Sequence, residues 1–305
     1  MTLTEMRYIV ALSRERHFGK AADACHVSQP TLSVALKKVE GQLGAALFER
    51  TAADVRITAL GERIVAQARR VLEEAVRLEE IAGTSGDPLS GPLRVGVIYS
   101  IAPYLLPQLI PALHNHAPAM PLYLKEDFTA NLIPALKAGE LDVIVIALPF
   151  SEPGLVAQAV YAEPFRVVVP AKHSWASRSA VDADELDGQN LLLLGQGNCF
   201  RDQVLESCPR LTAPNALEHS LEGGSLETIR YMVASGAGVA VMPSTAADPL
   251  IDKEPMVKVL PFLDTQQPSR TVGLVWRVTF PRPQAIDAMR AALLSCQLPG
   301  ASAVR

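Results

Sequence analysis

The sequence predicts an α/β region of two subdomains, preceded by an all-α helix-turn-helix, a small hairpin and a long helix. Three observations carry this. Short apolar runs alternate with segments of helical period from Leu93 onward. Residues 18–33 have the spacing of two short helices around a tight turn. From Thr58 to Ala82 apolar residues recur every three or four positions until a Gly/Ser/Pro stretch stops them.

Taken in order, Thr4–Ser13 reads as a helix with Thr4 as its N-cap, and Gly19–Cys25 as a second built on Ala21, Ala22 and Ala24. The turn His26-Val27-Ser28 leads into a third. Ser28 is a good N-cap, and Pro30 is tolerated in the first turn, where its missing N–H has no intrahelical partner. Leu32, Leu36, Val39 and Leu43 form one buried stripe, leaving Thr31, Ser33, Val34, Lys37 and Lys38 off it. Leu47–Ile57 alternates weakly around a polar tip, Thr51–Asp54, as a hairpin or wing would. The seam Leu60, Ile64, Ala68, Val71, Ala75, Leu78 and Ala82 suits pairing with a second copy or packing on a domain. Gly83–Pro88 then reads as a hinge.

In the α/β region, strands are expected at Leu93–Ile98, Leu122–Glu126, Leu141–Ala147, Arg166–Pro170, Leu191–Leu194, Val239–Met242 and Thr271–Trp276. Helices are expected at Tyr104–His114, Asn131–Ala138, Leu226–Ala234 and Gln284–Cys296. The alternation points to parallel α/β construction with a crevice between two subdomains.

Composition narrows the function classes. The 305 residues are too many for one core, and 49% are hydrophobic, which argues against disorder. Net charge is −4, so any nucleic-acid contact must be local. Residues 1–82 hold 12 of the 28 Lys+Arg and 11 of the 32 Asp+Glu, leaving 16 against 21 for the remainder, a weak basic bias at the N-terminal end. The start carries Glu5 and Arg7 rather than a signal peptide's apolar run, and no stretch of about 18 apolar residues suggests a membrane span. The expectation is a cytoplasmic protein. Cys25, Cys199, Cys208 and Cys296 should then rest as thiols. Their spacing fits no zinc site, and neither a metal nor a cofactor is expected. A solute-binding protein or an enzyme could share this α/β frame, but the N-terminal helix-turn-helix spacing argues against both, and no nucleophile–His–Asp set, phosphate loop or metal cluster stands out.

Residues Phe18–Ser33 have helix-turn-helix anatomy: two alanines for close crossing, Val27 in the turn, then a capped helix. Gln29 can bond base edges in pairs, and Thr31 or Ser33 can bond bases or phosphates. Ser28 and Pro30 start that helix, and Lys37, Arg50 and Arg56 suit phosphates. An ordinary three-helix core with a polar face fits these residues equally well. What adds to them is a resemblance. The run Ala21-Ala22 through Val27-Ser28-Gln29-Pro30-Thr31-Leu32-Ser33, with Leu43-Gly44, Leu47-Phe48-Glu49-Arg50 and Thr58-Ala59-Leu60-Gly61, resembles the LysR-type transcription regulators, and the likeness continues along essentially the whole chain.

The resemblance implies a winged helix-turn-helix that binds double-stranded promoter DNA, a homodimer through linker helices and often a homotetramer, and RNA polymerase as a partner. It also implies two Rossmann-like regulatory subdomains resembling periplasmic binding proteins. The domains are then 1–57 for DNA, 58–82 for the linker helix with seam Leu60, Ile64, Val71 and Leu78, and 83–91 for the hinge. Regulatory subdomain I is 92–162 with 265–300, and subdomain II is 163–264.

On spacing alone, Cys199 and Cys208 are better read as two buried, inert thiols. The segment Gly195–Cys208, however, resembles the redox segment of the peroxide-sensing members of this family. That implies attack of hydrogen peroxide on Cys199, resolution by Cys208 as a disulfide, and control of oxidative-stress genes. Support is expected from Ser100, Thr129, Asn198, Arg201 and Asp202, with Arg201 lowering the Cys199 pKa. Ser100 stands where this group usually has Thr. Asn198 stands where His commonly precedes the reactive cysteine, and Asn can neither act as a base nor carry charge. His219 lies near a further polar position. Cys25 and Cys296 read as core. The alternative is a LysR-type regulator that takes a small metabolite between its subdomains.

Overall fold

A computed structural model describes residues 1–50, 55–83, 87–207, 221–251, 253–263 and 267–304. The wing tip Thr51–Asp54, part of the hinge, Cys208 and His219 lie outside the described residues. The chain divides into two compact units, Met1–Ser85 with Lys137–Glu140, and Gly86–Leu136 with Leu141–Arg305.

The first unit holds α1 (Leu3–Glu15), α2 (Phe18–Ala24), α3 (Gln29–Leu43), a hairpin of β1 (Phe48–Arg50) and β2 (Val55–Ile57), and α4 (Ala59–Gly83). The N-cap of α1 is Thr2, not Thr4, because Glu5 closes a capping box on it: Thr2 Oγ1 accepts from the Glu5 N–H at 3.2 Å and Glu5 Oε2 from the Thr2 N–H at 2.7 Å. His17 caps α2 and Ser28 caps α3. Leu32, Leu36 and Val39 are buried as the stripe requires, but Leu43 is 39% exposed. It is the last residue of α3, where Gly44 turns left-handed with φ 68° and ends the helix. The hairpin is held to α3 by Glu40, whose Oε1 accepts the N–H groups of Leu47 at 2.8 Å and Phe48 at 3.1 Å. The linker seam is split. Ile64 packs with Val65 on this unit's own core, Leu60 is 39% exposed, and Leu78 is 69% exposed.

The second unit contains β3 (Leu93–Ile98), α5 (Ala102–His116), β4 (Leu122–Asp127), α6 (Thr129–Lys137), β5 (Val143–Leu148), β6 (Leu155–Pro170), β7 (Leu191–Leu194), α7 (Cys199–Ser207), β8 (Leu221–Gly223), α8 (Leu226–Ala234), β9 (Val239–Pro243), α9 (Ser244–Ala247), β10 (Val257–Pro261), β11 (Ser269–Arg277), α10 (Pro283–Ser295) and β12 (Ser302–Ala303). Strand order is β4-β3-β5-β11-β6-β9-β7-β8. The pairs β3–β4, β3–β5, β7–β8 and β7–β9 are parallel. The expectation of parallel construction therefore holds within each half. It fails at the join, where β11 runs antiparallel to β5 and β6, and β6 antiparallel to β9.

The join is one strand of 16 residues. Sequence reading finds only its end, Arg166–Pro170, because Gln158, Glu163 and Pro164 interrupt the apolar run ahead of it. Residues Leu155–Pro164 of β6 pair with β11, while Phe165–Val168 pair with β9. Val160 and Tyr161 join one apolar core, and Phe165, Val167, Val168 and Val169 a second. The fold is thus two α/β subdomains sharing a through-strand, which sets the loops at the C-terminal ends of β3 and β7 beside one another.

Gly61 fixes α4 on the wing. A Cβ there would run into the Leu47 carbonyl oxygen and sit 2.8 Å from Ile57 Cγ1. Gly61→Ala should cost the first unit about 1–3 kcal/mol, read as an earlier thermal transition for that unit. An unchanged transition would contradict this packing.

Candidate redox site and nucleic-acid interface

Cys199 opens α7 and is half-buried. The lead-in is shaped by Gly197, whose φ of +89° favours glycine. Asn198 braces this loop through its side-chain amide, which donates to the Gly195 carbonyl at 3.0 Å. Cys199 packs against the first subdomain's core, whereas the next residue, Phe200, is buried in the second. The thiol therefore lies where the two cores meet.

Ser100, Thr129, Asn198 and Cys199 come together around a half-open cleft of about 10 Å³, lined also by Ile98, Tyr99, Asp127, Phe128 and Gly197. That is room for one water-sized molecule with polar partners. Thr129 Oγ1 donates to Cys199 Sγ at 3.9 Å. Ser100 is buried, and its Oγ accepts from Arg270 Nη1 at 2.8 Å while its carbonyl accepts from Nη2 at 3.0 Å. A hydroxyl that accepts from a guanidinium still has its own proton to donate.

Arg201 does not serve the thiol as its sequence position suggests. Its Nη1 is turned to the Leu194 carbonyl at 3.0 Å and Glu222 Oε1 at 2.8 Å, so it ties α7 to β7 and β8. The cation that acts on Cys199 is Arg270, at the start of β11. Sequence reading begins that strand at Thr271 and so leaves Arg270 just outside. Nothing local marks Arg270, because the Glu163 that pairs with it stands 107 residues away in sequence. Burial pushes the Cys199 thiol above its ordinary value; Arg270 and the Thr129 hydroxyl pull it back, and Asp202 raises it further. Asp202 is exposed. Cys25 and Cys296 are half-buried against the cores, as expected of packing residues. Among the described residues no His/Cys/Asp/Glu cluster could hold a metal ion.

In the first unit, Ser28, Gln29, Pro30 and Thr31 are exposed at the start of α3, and Ser33 is half-buried. Ser28 Oγ lies 2.8 Å from Thr31 Oγ1, so the Thr31 hydroxyl is shared with the cap. Lys37 and Arg56 are exposed. The side chain of Arg50 lies outside the described residues. Val34, left unassigned by the sequence reading, is 67% exposed on the same helix between Pro30 and Lys37, an apolar surface suited to a thymine methyl.

Residues 3–62 match the bacterial regulatory helix-turn-helix protein, lysR family, and residues 86–296 match the LysR substrate binding domain. The chain belongs to the LysR family of DNA-binding transcription regulators. It is 39% identical over 295 residues, 95% of either chain, to the Escherichia coli K12 DNA-binding transcriptional dual regulator OxyR. Full-length OxyR C199D from Pseudomonas aeruginosa shares 49% identity, with a TM-score of 0.76 over 100% of this chain and 99% of that one. A Corynebacterium glutamicum OxyR mutant with hydrogen peroxide bound shares 32% identity, with a TM-score of 0.64 over 96% and 91%. No helix among the described residues of this LysR-family chain is long and apolar enough to cross a membrane.

Because the thiolate is the nucleophile and burial pushes the Cys199 thiol up, its oxidation rate should climb with pH. We expect about tenfold per unit between about pH 6 and pH 8, since the thiolate fraction rises in that proportion below the pKa. Stopped-flow oxidation across that range checks it; a plateau below about pH 8 would mean that Arg270 outweighs burial.

Proposed function

We propose that this LysR-family regulator senses hydrogen peroxide through Cys199 and Cys208 and thereby controls oxidative-stress genes. The observation that carries the reading is the small polar cleft in which Ser100, Thr129 and Asn198 surround Cys199. The names of its relatives support it too, as hydrogen peroxide-inducible genes activators recur among them.

Peroxide enters the cleft and takes hydrogen bonds from Ser100 and Thr129. The Cys199 sulfur attacks the nearer oxygen and the O–O bond breaks. The leaving oxygen collects the thiol proton and departs as water, leaving sulfenic acid. The Cys208 sulfur then attacks the Cys199 sulfur, the sulfenic oxygen leaves as a second water, and a disulfide closes. A dithiol reductant reverses it. Cys208 follows α7, whose nine residues span about 12–13 Å at about 1.5 Å each. A disulfide needs Cα atoms within about 7 Å, so oxidation must unwind α7. Asn198 supplies no proton relay, and the reaction runs on the two hydroxyls and Arg270.

On the DNA side, Gln29, Thr31 and Ser33 meet base edges in a major groove of promoter DNA, with Ser28, Pro30, Lys37, Arg50 and Arg56 along the phosphates. Two chains pair along the linker helix, Leu78 and Val71 carrying more of the seam than Ile64, and pairs assemble into a tetramer that meets RNA polymerase in the cytoplasm. The protein is a switch rather than an enzyme, since each oxidation consumes one peroxide and stops. The unwinding lies within the subdomain 163–264, and its effect passes to 92–162 with 265–300, then through the hinge 83–91 and linker helix 58–82 to the DNA-binding residues 1–57.

A second reading, regulation by a small metabolite, has one observation in its favour. A cavity of about 430 Å³, lined by Tyr104, Glu227, Arg230 and Leu250 among others, is large enough for one. Peptide mapping after a brief peroxide pulse decides between them. Cys208→Ser should stop at sulfenic acid and Cys199→Ser should stay reduced at low peroxide. If Cys199→Ser is oxidised at Cys208 as fast as wild type, the peroxide reading fails and the metabolite reading replaces it.

A further inference from the structure

Arg270 and Glu163 stand directly opposite one another on β11 and β6. Their side chains are fully buried, with Arg270 Nε 2.7 Å from Glu163 Oε1. The second carboxylate oxygen accepts from Thr245 Oγ1 at 2.6 Å and the Thr245 N–H at 3.3 Å. Glu163 is therefore held by donors from both β11 and α9, and the guanidinium also reaches Ser100 and the Phe200 ring, whose centroid lies 5.1 Å from its central carbon. Glu163 is not among the residues that line the cleft.

We propose that Glu163 is a positioning residue for the peroxide site: it fixes the Arg270 guanidinium against Ser100 and offsets its charge, so that a carboxylate remote from the cleft sets how readily Cys199 gives up its proton. The inference rests on the reading of Cys199 as the thiol that meets peroxide. A guanidinium paired at 2.7 Å presents a dipole rather than a full charge to groups beyond it, and in a low-dielectric interior that difference acts over several ångströms. Other charges near the thiol are few among the described residues. Asp202 stands on its own helix and Asp127 ends β4 at the cleft. The Tyr161 and Tyr104 phenols flank the pair and are held protonated by burial, Tyr104 donating to Glu227, which pairs with Arg230. Glu163 is thus the group whose charge bears most directly on Arg270.

The test is the pH profile of Cys199 alkylation by iodoacetamide in the full chain, followed on the Cys199 peptide by mass spectrometry. Glu163→Gln keeps the size and one acceptor for Arg270 but removes the charge, and its midpoint should fall about one pH unit below wild type. Glu163→Asp restores the charge and should bring the midpoint back to within about a third of that shift. A purely structural role would move both variants alike or neither, and an unchanged or raised midpoint in a folded Glu163→Gln protein overturns the proposal. Should Glu163→Gln fail to fold, the pair is removed together as Glu163→Gln/Arg270→Met, since losing both charges is far better tolerated than losing one. Its midpoint must then lie above wild type, and a midpoint at or below wild type overturns the proposal. Alkylation needs no peroxide, so an unmoved profile in a protein that still forms its disulfide removes only the role of Glu163. A wild type inert to peroxide removes the parent reading.

Discussion

The buried ion pair between Arg270 and Glu163 is the contact on which the regulatory region depends. Two charges taken out of water cost several kcal/mol each, and the fold recovers this only by satisfying their donors and acceptors. Arg270 spends its donors on Glu163 and on both oxygens of Ser100. Glu163 takes two more donors from Thr245. These four residues come from the through-strand, its neighbour, the loop after the first strand of subdomain I and the short helix of subdomain II. The pair therefore clamps the two halves at the level of Cys199. The Phe200 ring beneath the guanidinium, itself edge-on to Phe165, carries the same clamp into the helix that Cys199 opens.

Much of this was legible in the sequence because its physics is local. Ser28 caps α3 since a Ser before Gln-Pro has the hydroxyl that the orphan N–H groups need. Leu32, Leu36 and Val39 are buried since they share one face. The apolar runs at residues 143–148 and 191–194 became strands because a strand covered on both faces needs no polar alternation. Ser100 and Thr129 reached the site from segments far apart, and the residues themselves give no sign of that closeness. The family likeness supplied it.

What could not be read was set by pairing across the sheet. Glu163 and Pro164 look like a strand break, yet Glu163 is buried because Arg270 lies opposite it in register. Arg201 looked like the partner of Cys199 because it is two residues away. On a helix, however, positions two apart face different sides, and its guanidinium turns to Glu222. The linker seam reads as continuous in sequence, but Ile64 is drawn onto the core of the DNA-binding unit while Leu78 points to solvent. A periodic stripe reports that a face is covered, not by what.

The claim that one ion pair ties Ser100 and the Cys199 helix together is tested most directly by hydrogen exchange in Arg270→Met. The amides of Ile101 and Arg201, bonded to the carbonyls of Ile98 and Asn198, lie on different subdomains. The account requires that both exchange faster together, by about tenfold for each 1.4 kcal/mol of lost local stability, while the central strands Leu93–Ile98 and Val143–Leu148 stay protected. Faster exchange at only one of the two segments, or an equal rise throughout the regulatory region, would contradict it.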